Sequence, residues 1–166
     1  MALTVETGAG LVDADSYISL SDASARHSAL GNAAWAAMAS DTVREQALRR
    51  ATTYMVQTYR QRWQGVRATA DQALDWPRWG VEADGYYVGA DIVPTDVANA
   101  CADLALRAAS EDLSPDLERG IVREKVGPIE TEYDRYSQQA KRFSAVDALL
   151  SPYMLAGGAM RRLIRA

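Results

Sequence analysis

His27 is the only histidine of this chain and Cys101 its only cysteine, so a metal centre or a nucleophile–base pair built on either would need partners from distant segments. Neither stands in a ligand-like pattern of Cys, Asp or Glu. His27 reads as a surface or half-buried helical residue, and Cys101, on an apolar helical stripe, as a small core residue. The nucleophile elbow Gly-x-Ser-x-Gly is absent, as are the glycine-rich loops that cradle nucleotide phosphates. Asp13 and Asp15 are two apart, like Glu130 and Glu132, a spacing that puts both carboxylates on one side of a strand. Such pairs could share a cation or transfer protons, but an ordinary solvated edge shows the same spacing and is the preferred reading. The expectation is a chain that is not an enzyme, with no cofactor and no metal.

One pattern carries binding chemistry. Arg49, Arg50, Arg60, Arg62 and Arg67 are interleaved with Tyr54, Tyr59 and Trp63, the residue types that neutralise phosphates and stack bases in single-strand binders. Tyr54, however, falls on an apolar helical stripe, where a core role is more natural. The net charge of −4 also speaks against a dedicated nucleic-acid binder. That total hides segregation. Residues 41–70 carry six arginines against Asp41 and Glu45, whereas residues 71–118 carry eleven acids against Arg78 and Arg107. Residues 136–166 are basic again, through Lys141, Arg142, Arg161, Arg162 and Arg165 against Asp147. Blocks of opposite sign suit a subunit that meets neighbours through complementary faces, although solvated faces would look alike.

The elements that position these residues belong to one mainly α domain, which 166 residues suffice to give a core. Its plan is a compact helical bundle with a projecting β-hairpin or strand pair and extended N- and C-terminal arms. Residues 1–20 form a glycine- and aspartate-bearing arm, free to pack on its own domain or on a neighbour. Residues 21–120 form the helical body. Ser21 or Asp22 is expected to cap a first helix ending near Gly31, and Asn32 a short one anchored by Trp35. A long helix over 42–63 opens on a Thr42-x-x-Glu45 capping box and stops at Gly65. Trp76-Pro77-Arg78 interrupts helix, and Asp84-Gly85 suits a tight hairpin turn. Pro94 to Asp96 start a second strong helix, closed between Asp112 and Asp116. Residues 121–135 read as a strand pair about Gly127-Pro128, residues 136–154 as a region with a short helix from Ala145 to Leu150, and residues 155–166 as a basic tail after Gly157-Gly158. No apolar run approaches the roughly twenty residues needed to cross a membrane, so a soluble protein made in the cytoplasm, without a membrane partner, is expected.

Leu11-Val-Asp-Ala-Asp-Ser-Tyr-Ile-Ser-Leu20, Gly31-Asn-Ala-Ala-Trp35, Ala73-Leu-Asp-Trp-Pro-Arg78, Val126-Gly-Pro-Ile129 and Ala145-Val-Asp-Ala-Leu-Leu150 follow one another across most of the chain, without internal repeat. Together they resemble the phage DnaT-like family, whose members are similar to head–tail adaptor, or connector, proteins of tailed bacteriophages. The resemblance implies two functions. The adaptor one is a structural subunit of the virion neck, forming a ring of about twelve copies between portal and tail through which double-stranded DNA passes without sequence readout. Its partners would be the portal protein, neighbouring copies of itself, and a tail-side stopper or tail terminator protein, after synthesis in the bacterial host cytoplasm. By analogy, Arg161, Arg162, Leu163, Ile164 and Arg165 would dock on the portal, and Val126, Pro128, Ile129 and Tyr133 would contact an adjacent subunit or the tail. The alternative is a DnaT-like single-stranded DNA-binding protein, with Arg49, Arg50 and Arg60 as its nucleic-acid residues.

Overall fold

The computed structural model describes residues 2–115, 123–126, 129–132 and 141–155, the two central strands by their backbone. Among these residues lie five α-helices: α1 (Leu20–Ala29), α2 (Ala33–Ala36), α3 (Asp41–Tyr59), α4 (Thr95–Ala108) and α5 (Ser144–Leu150). Between α3 and α4 the chain makes two small antiparallel ribbons. The first pairs β1 (Val66–Arg67) with β2 (Arg78–Trp79), and the second pairs β3 (Glu82–Ala83) with β4 (Tyr86–Tyr87). A third ribbon joins β5 (Arg123–Val126) to β6 (Ile129–Glu132), with Val126 opposite Ile129 and Arg123 opposite Glu132. The mainly helical class with a strand pair read from the sequence is what the chain adopts.

The core forms where α3 and α4 pack. Ala47, Leu48, Ala51 and Met55 of α3 are fully buried, as are Val97, Cys101, Leu104 and Ala105 of α4. Their three- and four-residue spacing puts each set on one helix face. The alanines let the two axes approach closely, and Thr52 Oγ1 lies 3.3 Å from Cys101 Sγ across the seam. α5 closes one side, through Val146 and Leu150, with Phe143 set edge-on against Tyr54 at 5.5 Å between ring centres. Burial raises the Cys101 thiol pKa, which keeps it an inert core group.

Several expected boundaries shift by a few residues, each for a local hydrogen-bonding reason. Ser19, rather than Ser21 or Asp22, caps α1, its hydroxyl accepting from the Asp22 amide. Ser40 caps α3 by accepting from the Val43 amide, so Thr42 and Glu45 do not make the expected box; Glu45 faces Arg49 instead. α3 ends at Tyr59, ahead of Gly65, and α4 ends at Ala108, ahead of Asp112. Asn32 precedes α2, but its side chain reaches His27 instead of the helix. His27 is fully buried, which corrects its placement at or near the surface.

The N-terminal arm packs on its own domain. Val5 bridges Ser16, and Ala14, Tyr17 and Ile18 enter the core. The buried Glu6 carboxylate turns the loop between these segments by accepting from the amides of Gly8, Gly10 and Leu11 at 2.7–3.0 Å. Gly8 has φ +105 and lies so close to the Asp91 carbonyl that a side chain there would collide with it.

Candidate functional site

Two of the segments that carry the sequence resemblance, residues 11–20 and 73–78, meet at one buried knot. Asp75, Trp76 and Arg78 are all buried, around a cis Trp76–Pro77 bond. Arg78 spends its whole guanidinium on backbone carbonyls: Nε donates to Gln64, Nη1 to Asp75 and Nη2 to Gly65, at 2.7–3.0 Å. Its pKa is lowered by burial, with Asp75 opposing that shift. Gln72 Nε2 ties the carbonyls of Leu74 and Pro77 together. The hydroxyl of Tyr17 accepts from the Asp75 amide at 3.0 Å, which joins the Asp13–Tyr17 segment to the Trp76 segment. Burial and the nearby Asp75 raise the Tyr17 pKa, so it stays a neutral phenol. The Arg78, Gln72 and Tyr17 groups are satisfied by the fold itself, whereas Asp75 Oδ2 and Trp76 Nε1 are buried with no hydrogen-bond partner among the described residues.

The arginines of the basic block are largely committed as well. Arg49 Nε binds Asp15 Oδ2 at 2.6 Å, and its Nη2 donates to the Ala2 carbonyl. Arg60 Nε binds the buried Asp75 carboxylate at 2.9 Å. Arg44 holds Asp41 and the carbonyls of Trp35 and Ala36, and Arg67 holds those of Ala70 and Gln72. Arg62 lies over the Tyr59 ring at 5.3 Å. Arg50 is exposed and has no hydrogen bond or ion pair among the described residues. Tyr54, Tyr59 and Trp63, the interleaved aromatics, are 8%, 1% and 3% exposed. The Tyr59 hydroxyl donates to Asp147 Oδ1 at 2.8 Å. Arg49 and Arg60 are thus paired within the fold and the three rings are largely buried, while Arg49, Arg50, Thr53 and Tyr54 line one surface cleft.

What the surface does offer is an aromatic ribbon. Trp79 is 61% exposed and faces Val66, itself exposed, across the first ribbon. Tyr86 and Tyr87 are 80% and 86% exposed on the second, opposite Ala83 and Glu82. The expected Asp84-Gly85 turn is there, with both residues at positive φ. Residues 81–91 contain Glu82, Asp84 and Asp91 and no lysine or arginine. Exposed aromatics in an acidic setting fit a protein partner far better than a polyphosphate. Pattern reading finds the hairpin but not this exposure, because adjacent tyrosines are equally compatible with a strand buried on both faces.

Of the proposed contact residues, Val126 ends β5 and Ile129 begins β6, opposite one another in register. Pro128, Tyr133, Arg161, Arg162, Leu163, Ile164 and Arg165 lie outside the described residues. Asp15 of the Asp13/Asp15 pair is taken by Arg49 and the Thr4 amide. No group of His, Cys, Asp and Glu among the described residues is arranged to hold a metal ion. No helix described is long and apolar enough to cross a membrane.

Compared with known families, the chain matches over residues 1–166 the one described as "Putative DnaT-like ssDNA binding protein". The chain belongs to this DnaT-like family. Its description names single-stranded DNA and no head–tail role. No curated protein and no solved structure matches the chain. In this member of the family the shared-looking segments, Asp13–Tyr17 and Asp75–Arg78, are the scaffold described above.

Proposed function

We propose that this chain is a structural subunit that works by binding other protein chains, as a head–tail adaptor between the portal and tail of a tailed phage. One observation carries the reading: Arg44, Arg49, Arg60 and Arg67 and the aromatics of the basic block are engaged within the fold, while the exposed Tyr86 and Tyr87 lie in an acidic stretch of chain. A rigid α3–α4 core with projecting ribbons suits a ring subunit, in which neighbouring copies meet through surfaces of unlike charge. The acidic stretch 71–118 would let double-stranded DNA pass without gripping it. β5 and β6 would contact an adjacent subunit or a tail-side protein. The segment from Arg161 to Arg165 would pair with acidic groups of the portal and set Leu163 and Ile164 into its grooves.

The family description favours a second reading, in which the chain binds single-stranded DNA. On that reading Arg50, Arg62 and the tail arginines would supply most of the charge, since Arg49 and Arg60 are paired internally. Co-sedimentation with the portal protein of the same phage tests the adaptor reading. The full chain should sediment with portal rings, and the same chain cut after Leu155, still folded by circular dichroism, should not. Equal recovery of both, or of neither, would contradict it.

A further inference from the structure

β5 and β6 make a ribbon of two strands, and such a ribbon is only marginally stable in water unless a further strand or a packed face supports it. Among the described residues neither strand pairs with any other, so each keeps one edge of backbone donors and acceptors open to a new strand. Where the charges fall in the register decides what can add there. Arg123 stands opposite Glu132, and Lys125 opposite Glu130. Opposite residues share a face of a sheet, as do alternate residues along a strand, so all four belong to one face. That face has a basic row on β5 and an acidic row on β6.

Every second residue of a strand turns its N–H and C=O toward a given edge, and residues opposite one another in a new antiparallel pairing must agree in this. Two copies meeting β5 to β5 would therefore set Arg123 and Lys125 against the same basic residues of the second copy. Meeting β6 to β6 would set Glu130 and Glu132 against glutamates. Like charges directly opposite destabilise a strand pair. β5 against β6 of a second copy sets Arg123 and Lys125 against Glu132 and Glu130, the combination each ribbon already uses within itself. We propose that this ribbon joins copies of the chain edge to edge, β5 of one copy adding to β6 of the next. The contact uses unlike edges and leaves one of each open at its ends, so it repeats until it closes as a ring or runs on as a filament. The inference rests on the ring-subunit reading above and deepens it by naming the edges that meet.

A charge swap tests it with the ribbon's own pairs kept. The full-length chain with Arg123→Glu, Lys125→Glu, Glu130→Lys and Glu132→Lys retains opposite charges across its ribbon and the net charge of the protein. Wild type and swapped chain are run separately by sedimentation velocity, then mixed in equal amounts with one of them labelled with heavy nitrogen, and native mass spectrometry reads the composition of the oligomers. Each chain should associate with itself, and oligomers containing both should fall about fivefold or more below random mixing, because each edge then meets its own sign. Random mixing overturns the proposal, as does self-association in neither chain. An excess of mixed oligomers also overturns it, since that marks β5-to-β5 or β6-to-β6 pairing. A second measurement needs no swap: chains carrying Lys125→Cys and Glu130→Cys, mixed and oxidised, should form the mixed disulfide in preference to either homodimer, and a preference for homodimers overturns the proposal. Portal co-sedimentation fails separately: a chain that sorts as described but ignores portal rings keeps the strand contact and loses the adaptor role.

Discussion

His27 has both ring nitrogens occupied in the core: Nε2–H donates to the Ala102 carbonyl, which leaves Nδ1 to accept from the Asn32 amide, each at 3.1 Å. Only the neutral ring fits both partners as they stand. Burial lowers its pKa, outweighing the opposite pull of the Ala102 carbonyl and Asp103. The unfolded chain takes up a proton below about pH 6.5 where the fold resists it, so this contribution to stability is present above that pH and is lost as pH falls. The melting temperature should therefore drop between about pH 7.5 and pH 5.5, and His27→Gln should flatten that slope; an unchanged slope in the variant would count against the assignment. Arg60 makes a second residue-scale case. Its partner Asp75 is buried, and Asp75 Oδ2 has no hydrogen-bond partner among the described residues, so removing the guanidinium strands a carboxylate in the core. Arg60→Ala should cost about 2–3 kcal/mol in urea unfolding, where an arginine held ready for phosphate would cost almost nothing.

At the scale of elements, the α3–α4 seam is set by small side chains. Ala51 and Ala105 are both fully buried there, and a larger residue has no space to enter without moving an axis. Ala105→Leu should destabilise by about 1–3 kcal/mol, measured by thermal or urea unfolding, and a neutral result would mean the seam is looser than its packing suggests. Both helices were legible in the sequence because their stripes repeat at helical spacing over many residues. Their caps were not, since Ser40 and Thr42, or Ser19 and Ser21, are chemically equivalent candidates, and the choice depends on which residue takes extended backbone. The region 66–93 was legible at its turn, Asp84-Gly85, and opaque elsewhere. Its fold depends on Arg78 reaching the carbonyls of Gln64 and Gly65, contacts between segments that carry no local signal. The same holds for the candidate surfaces: the basic block could be read from composition, but that Arg49 answers Asp15 and Arg60 answers Asp75 follows only from the fold.

For the whole molecule, the relation of charge to packing is what supports the proposed adaptor over a single-strand binder. A single-strand binder needs cations free to displace counterions and rings free to stack. Here Tyr54, Tyr59 and Trp63 are core, Arg49 and Arg60 are paired, and of the exposed rings among the described residues Tyr86 and Tyr87 lie in an acidic stretch of chain. The account therefore turns on how this protein treats a single strand. Fluorescence anisotropy of a labelled oligothymidylate, titrated with the full chain at low and at physiological salt, measures that directly. The account predicts no saturable binding up to tens of micromolar protein at physiological salt; a dissociation constant of about a micromolar or tighter, weakening steeply as salt is raised, would contradict it.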